Sequence, residues 1–180
     1  DQATICIIGS VLMKHNEFNN FKDFTINDLS IDEEKNIIQN WINSLKPCND
    51  DFIKIYHWGH AEKTYLNNMK KKYPDIKFPN IILIDLLHFF RDEPIIIKDC
   101  FNFGLKNIGK ALYKHKYITT TWSDTDNGLD AMIKFKEICE KKDTNIPLKR
   151  YTEIKDIIHY NQVDCLVLME ILQFLRSKYL

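Results

Sequence analysis

Continuous apolar runs, short alternating stretches and helical stripes follow one another along this chain. Thr4 to Met13 (TICIIGSVLM) is almost unbroken in β-branched and apolar residues, the pattern of a strand buried on both faces. After a polar turn at Lys14 to Glu17, Phe18 to Ile26 (FNNFKDFTI) alternates better and reads as a second strand. Ser30 with Glu33 three residues on is a capping-box pattern. Beyond it Ile37, Ile38, Trp41, Ile42 and Leu45 recur at helical spacing, so a helix is expected over 31–45, followed by a turn at Pro47 to Asp51. Phe52 to His57 (FIKIYH) is a third strand, leading into a helix over 60–72 that Tyr73-Pro74 ends. Ile81 to Asp85 (IILID) is a fourth strand, whose continuous apolar character places it centrally in a sheet. A short helical piece near 86–90, an extended Ile95 to Ile97, a helix over 105–113 and a polar loop over 119–127 follow. Helices over 128–142 and 154–178 complete the chain. Strand, strand, helix, strand, helix, strand and then helices make a single α/β domain with a mixed sheet.

Composition narrows the function classes. The 180 residues suffice for one full hydrophobic core, and 44% apolar with 28% charged residues is ordinary for a globular protein. Lys+Arg and Asp+Glu both number 25, which argues against a basic coat protein but leaves room for one positive groove beside acidic metal sites. Cys6, Cys48, Cys100, Cys139 and Cys165 are scattered without a CxxC pair. Buried free thiols in an intracellular, reducing compartment are therefore expected, with no disulfide framework or zinc knuckle. No run reaches the length of a membrane span, so no membrane partner is expected.

Three places can carry chemistry. In the last helix (IIHYNQVDCLVLMEIL) Tyr160 and Asp164 stand four apart and share a face, while His159 and Asn161 point elsewhere. A carboxylate one turn from a phenol suits a cation and an oriented water, or a tyrosine packed on the core beside a solvated aspartate. His57-Trp58-Gly59-His60-Ala61-Glu62 lies where a strand ends and a helix starts, the usual place for ligands in α/β sheets. Glu62 there is equally a helix-start acid, and His57 with His60 is a thin zinc signal. Asp85 ends the fourth strand, where it either caps the next turn or serves a site.

The joint order of these features resembles the RNase H-like DEDD exonuclease superfamily, in its Tyr-x3-Asp branch. The resemblance is closest to the predicted RNase H-like nucleases in which Tyr-Asn-x-x-Asp-Cys follows Tyr-His-x-Gly-His-x-Glu-Lys-Thr. These stand here as Tyr160 to Cys165 and Tyr56 to Thr64, with Ile84 to Leu87 and Phe103 to Ile108 similar to the intervening segments. The resemblance implies an RNase H-like mixed sheet flanked by helices and 3′–5′ hydrolysis of phosphodiesters at a two-metal site of Mg²⁺ or Mn²⁺. It implies Asp164 and Glu62 as metal ligands, Tyr160 as orienter of the attacking water, and Asp85, His57 and His60 in support. Glu62 departs from the aspartate that the superfamily has at this position. The Asp-x-Glu motif of the first central strand has no counterpart here, and Asp23, followed by Phe24 and Thr25, does not supply it. The first strand is thus expected upstream, with its two ligands, and residues 1–180 alone are expected to be inactive. The strands at 4–13 and 52–57 should then flank a position that this chain does not fill.

The expected partner is DNA or RNA, entering as a single-stranded 3′ end, with a fused or associated helicase or other processing domain as an open possibility. Lys63 and Lys106, with Lys110, are phosphate-contact candidates, whereas Lys70 to Lys72 reads better as a solvated helix face. Trp58 is a base-stacking candidate, and Trp122 is expected to pack. The alternative is a catalytically inactive RNase H-like module that binds nucleic acid or a protein partner; in an unrelated α/β domain, Glu62, Asp85 and Asp164 would not converge.

Overall fold

The computed structural model describes residues 4–14, 17–18, 20–45, 52–93, 95–123, 128–141 and 146–179. The expected turn at Pro47 to Asp51, Cys48 and much of the loop over 119–127 lie outside the described residues. By internal contacts the chain divides into two compact units, Asp1–Ser44 with Ser123–Val163 and Leu45–Trp122 with Asp164–Leu180.

In the first unit the expected strand over 4–13 is two pieces, β1 (Ile7–Ser10) and β2 (Met13–Lys14). The next likewise divides into β3 (Glu17–Phe18) and β4 (Lys22–Thr25). β1 pairs antiparallel with β4, Ile7 opposite Thr25, and β2 pairs antiparallel with β3. All four β1 residues are half-buried, not sealed on both faces as the apolar run suggested. A short apolar run reports hydrophobic contact, and β1 obtains it without two complete covering layers.

Helix α1 (Ile31–Ser44) buries Glu34, Ile37, Ile38, Trp41 and Ile42, one helical stripe. The capping box forms in altered shape: Ser30 Oγ accepts from Glu33 N (3.2 Å), but the Glu33 carboxylate reaches Asn27 N (2.7 Å) because Asp28 takes Ser30 N. Glu34 is buried on the apolar stripe, and its carboxylate accepts the Ile5 backbone N–H at 3.0 Å. A charge can stay inside only with such partners. Ile26, Ile37, Phe135, Leu148 and Ile154 form this unit's core, joining α1, α5 (Gly128–Lys141), a 3₁₀ turn at Leu148–Arg150 and the start of α6 (Thr152–Tyr179).

The second unit is built on β5 (Ile53–His57), α2 (Ala61–Lys72) and β6 (Ile81–Asp85). The two strands are parallel, Ile53 opposite Ile81 and His57 opposite Asp85, with α2 as the crossover that parallel strands require. β6 is not central among the described residues: β5 is its one ladder partner, and Ile82 is 44% exposed. Around this pair stand α3 (Leu86–Asp92), α4 (Leu105–Lys114) and the C-terminal part of α6. α6 buries Val167, Ile171 and Leu175 at successive turns. Among the described residues the strands form three two-stranded sheets beside six α-helices, a mixed α/β architecture. No helix among them is long and apolar enough to cross a membrane.

Candidate functional site

Parallel pairing brings the carboxyl ends of β5 and β6 to one edge, so His57 and Asp85 face each other in register. The chain leaves β5 through Gly59 at φ +84°, a backbone conformation that glycine adopts without cost, and α2 begins two residues later. Asp85 stitches the two strand tips together. Its Oδ1 accepts from Gly59 N (2.8 Å) and from Leu87 N (2.9 Å), capping α3. The expected choice between capping and function is thus answered for this oxygen: it caps.

Glu62 sits in the first turn of α2, its side chain 50% exposed. Partial burial of the carboxyl raises its pKa and the charge of Asp85 adds to the rise, against the opposing effects of its own backbone N–H and of His57. His57 is buried, and its Nδ1 has no hydrogen-bond partner; the nearest acid oxygen is Glu62 Oε2 at 3.6 Å. His60 is exposed and stands at the N-terminal cap of α2 without a side-chain capping bond.

Asp164 is half-buried on α6 and accepts the indole N–H of Trp122 at 2.7 Å. The neighbouring Cys165 thiol is pushed up to about 12 by burial and then by the charges of Asp164 and Glu62. Those two carboxylates therefore act on one place, and Glu62 also feels Asp85. Tyr160, one turn earlier on α6, is half-buried and belongs by its contacts to the first unit, as does Asn161, which lies against Gly9.

The nucleic-acid candidates are placed as follows. Trp58 is half-buried, donates to Phe103 O (2.9 Å) and packs its ring on Phe90 with centroids 5.3 Å apart. Lys63 is exposed on α2. Lys106 Nζ lies 5.8 Å above the Trp122 ring. Lys70 and Lys72 lie over the Phe78 and Tyr73 rings, so part of the expected solvated lysine face covers aromatic surface. Cys6, Cys100, Cys139 and Cys165 are free thiols and half-buried rather than fully buried. Asp23 pairs with Lys149 (2.8 Å) and accepts from Thr25 Oγ1 (2.9 Å).

Trp122, expected only to pack, also bonds Asp164, 42 residues away, for which no local pattern exists. Glu170 is not among the expected site residues, although an acid inside the apolar stretch VLMEIL is a usable signal. That carboxylate accepts from the amides and hydroxyls of both Thr119 and Thr120 at 2.5–3.1 Å.

Hard carboxylate oxygens suit a divalent cation in kind. In number they fall short, for among the described residues no three His, Cys, Asp or Glu side chains are grouped so as to hold a metal. Glu62 and Asp164 are donors of the right kind and, among the described residues, do not make a complete site.

A family model described as the RNase_H superfamily matches residues 1–176. None of the curated proteins and none of the solved structures matches the chain.

Proposed function

The chain belongs to the RNase H superfamily, and on that premise we propose that it is the nuclease domain of a metal-dependent 3′–5′ exonuclease of the Tyr-x3-Asp type. Its substrate class is nucleic acid, DNA or RNA, presented as a single-stranded 3′ end. The observation that supports the reading is the tip of the parallel pair β5–β6, where Asp85 stands in register with His57 and bonds Gly59 N, and Glu62 follows in the first turn of α2.

In this reading Asp164 and Glu62 are two carboxylate ligands, and an Asp-x-Glu strand outside residues 1–180 supplies the others. Mg²⁺ or Mn²⁺, when bound, stabilises charge on the attacking and leaving oxygens. Tyr160, four residues before Asp164, orients the water. Asp85 fixes the turn from which Glu62 projects, through its bond to Gly59 N. His57 backs Glu62 from the buried side, while exposed Lys63, in the same helical turn, meets substrate phosphate.

The test is hydrolysis of end-labelled single-stranded DNA and RNA by a chain extended upstream, with Mg²⁺ or Mn²⁺ added. Asp164→Asn and Glu62→Gln are expected to abolish cleavage, and residues 1–180 alone to show none. Undiminished cleavage by Asp164→Asn would sink the reading. The shortfall of grouped ligands among the described residues favours a second reading, a non-catalytic module that binds nucleic acid. An extended chain that binds the labelled strand without metal-dependent cleavage would establish it.

A further inference from the structure

Trp122 precedes a polar loop and, by its sequence, has only packing to do. Its surroundings are more specific than packing needs. The side chain is 3% exposed, and its single polar group donates to Asp164 Oδ1 at 2.7 Å. An indole N–H is a donor and never an acceptor, so Asp164 Oδ1 is the acceptor and is fixed in space by this bond.

Two further features hold the ring in place. Gly109 on α4 leaves a notch: a Cβ there would come 2.8 Å from Trp122 Cζ3 and 2.8 Å from Val167 Cγ1. The backbone leading to Trp122 is tied to α6 by Glu170, which takes two amides and two hydroxyls from Thr119 and Thr120. Residues 119–122 thus form a strap along α6, bonded to it at Glu170 and at Asp164. All of these groups lie in the second unit.

We propose that Trp122 is the positioning residue of Asp164: the strap and the Gly109 notch aim its N–H so that the carboxylate is held ready for a divalent cation. The inference rests on the reading of Asp164 as a cation ligand. Oriented partners behind a metal ligand typically contribute about 10–100-fold in metal affinity.

The experiment titrates Mn²⁺ into the ¹⁵N-tryptophan-labelled chain extended upstream and follows the Trp122 indole N–H signal, assigned by its loss in Trp122→Phe, with the Asp164→Asn protein as reference. The Trp122 signal is expected to broaden, Asp164→Asn to remove the effect, and Trp122→Phe to weaken Mn²⁺ binding about 10–100-fold, read from water relaxation. Benzothienylalanine at position 122 keeps the bicyclic ring and lacks the N–H, so it gives the same comparison should the phenylalanine variant fail to fold. A merely structural tryptophan would leave Mn²⁺ affinity unchanged in the benzothienyl protein. If Asp164→Asn removes binding while the benzothienyl protein binds like wild type, the positioning role is overturned and the cation reading stands. If Asp164→Asn binds Mn²⁺ like wild type, both fall.

Discussion

Replacing Glu170 by glutamine tests the strap without touching the candidate site. The carboxylate accepts from Thr119 N (2.5 Å), Thr120 N (3.1 Å), Thr119 Oγ1 (3.1 Å) and Thr120 Oγ1 (2.5 Å). Glutamine keeps the length and, with its amide oxygen on the two backbone N–H groups, turns its N–H₂ to the two hydroxyls, which can accept; the bonds are kept but their charge is lost. A shielded hydrogen bond to a charged group is worth about 1.5–3 kcal/mol, whereas one at an exposed position such as Thr119 is screened to about 0–1 kcal/mol. Discounting the exposed half and keeping the neutral share of the bonds, the substitution is expected to cost about 1–2 kcal/mol, or about 2–8 °C in Tm for a chain of this size. The pH dependence has a definite sign. Burial pushes the Glu170 carboxyl up, but the Thr120 hydroxyl and the amides and hydroxyl around it outweigh burial and hold the pKa below the usual carboxylate value. A group with a depressed folded pKa stabilises above its unfolded pKa, about 4.3 for glutamate, and loses that contribution as pH falls through the folded value. Urea denaturation of both proteins, followed by circular dichroism at pH 7 and again near pH 3.5, measures the difference. It should be large at pH 7 and shrink in acid. An equal difference at both pH values, or none at pH 7, refutes the reasoning.

Two other expectations come from local geometry. Gly9→Ala drives a methyl group into Asn161 Oδ1 and to 2.8 Å from Phe21 Cε2, so it should lower stability by about 1–3 kcal/mol, visible as an earlier urea midpoint; an unchanged midpoint contradicts the packing described. The Cys6 thiol is pushed up to about 12 by burial and the neighbouring Cys139 and Glu34, and Cys165 to about 12 by burial with Asp164 and Glu62. At pH 8 about one thiol in ten thousand is then ionised, so both should resist iodoacetamide in the native protein, and rapid labelling of either by mass spectrometry would show the environment to be wrong.

Periodicity carried most of the secondary structure. The stripe through Ile37, Ile38, Trp41 and Ile42 became α1, FIKIYH and IILID became β5 and β6, and the apolar run around Asp164 became α6. Burial was less legible, because an apolar run looks alike in a doubly covered strand and in the half-buried β1. At the candidate site, placement at a helix start and a strand end singled out Glu62 and Asp85, and the four-residue spacing from Tyr160 singled out Asp164. Their partners were not readable, since Trp122 and Asp164 are 42 residues apart and Thr119 and Glu170 are 51.

The division has a physical cause. Local periodicity and capping chemistry act within a few residues, so the amino-acid order by itself determined where helices and strands form and which acids stand at their ends. What Asp164, Glu170 and the buried Glu34 bond to was decided only when tertiary packing took their carboxylates partly or wholly from water. A carboxylate leaving water needs donors close by, and the chain supplies them from segments remote in sequence: an indole N–H for Asp164, two threonines for Glu170 and the Ile5 amide for Glu34.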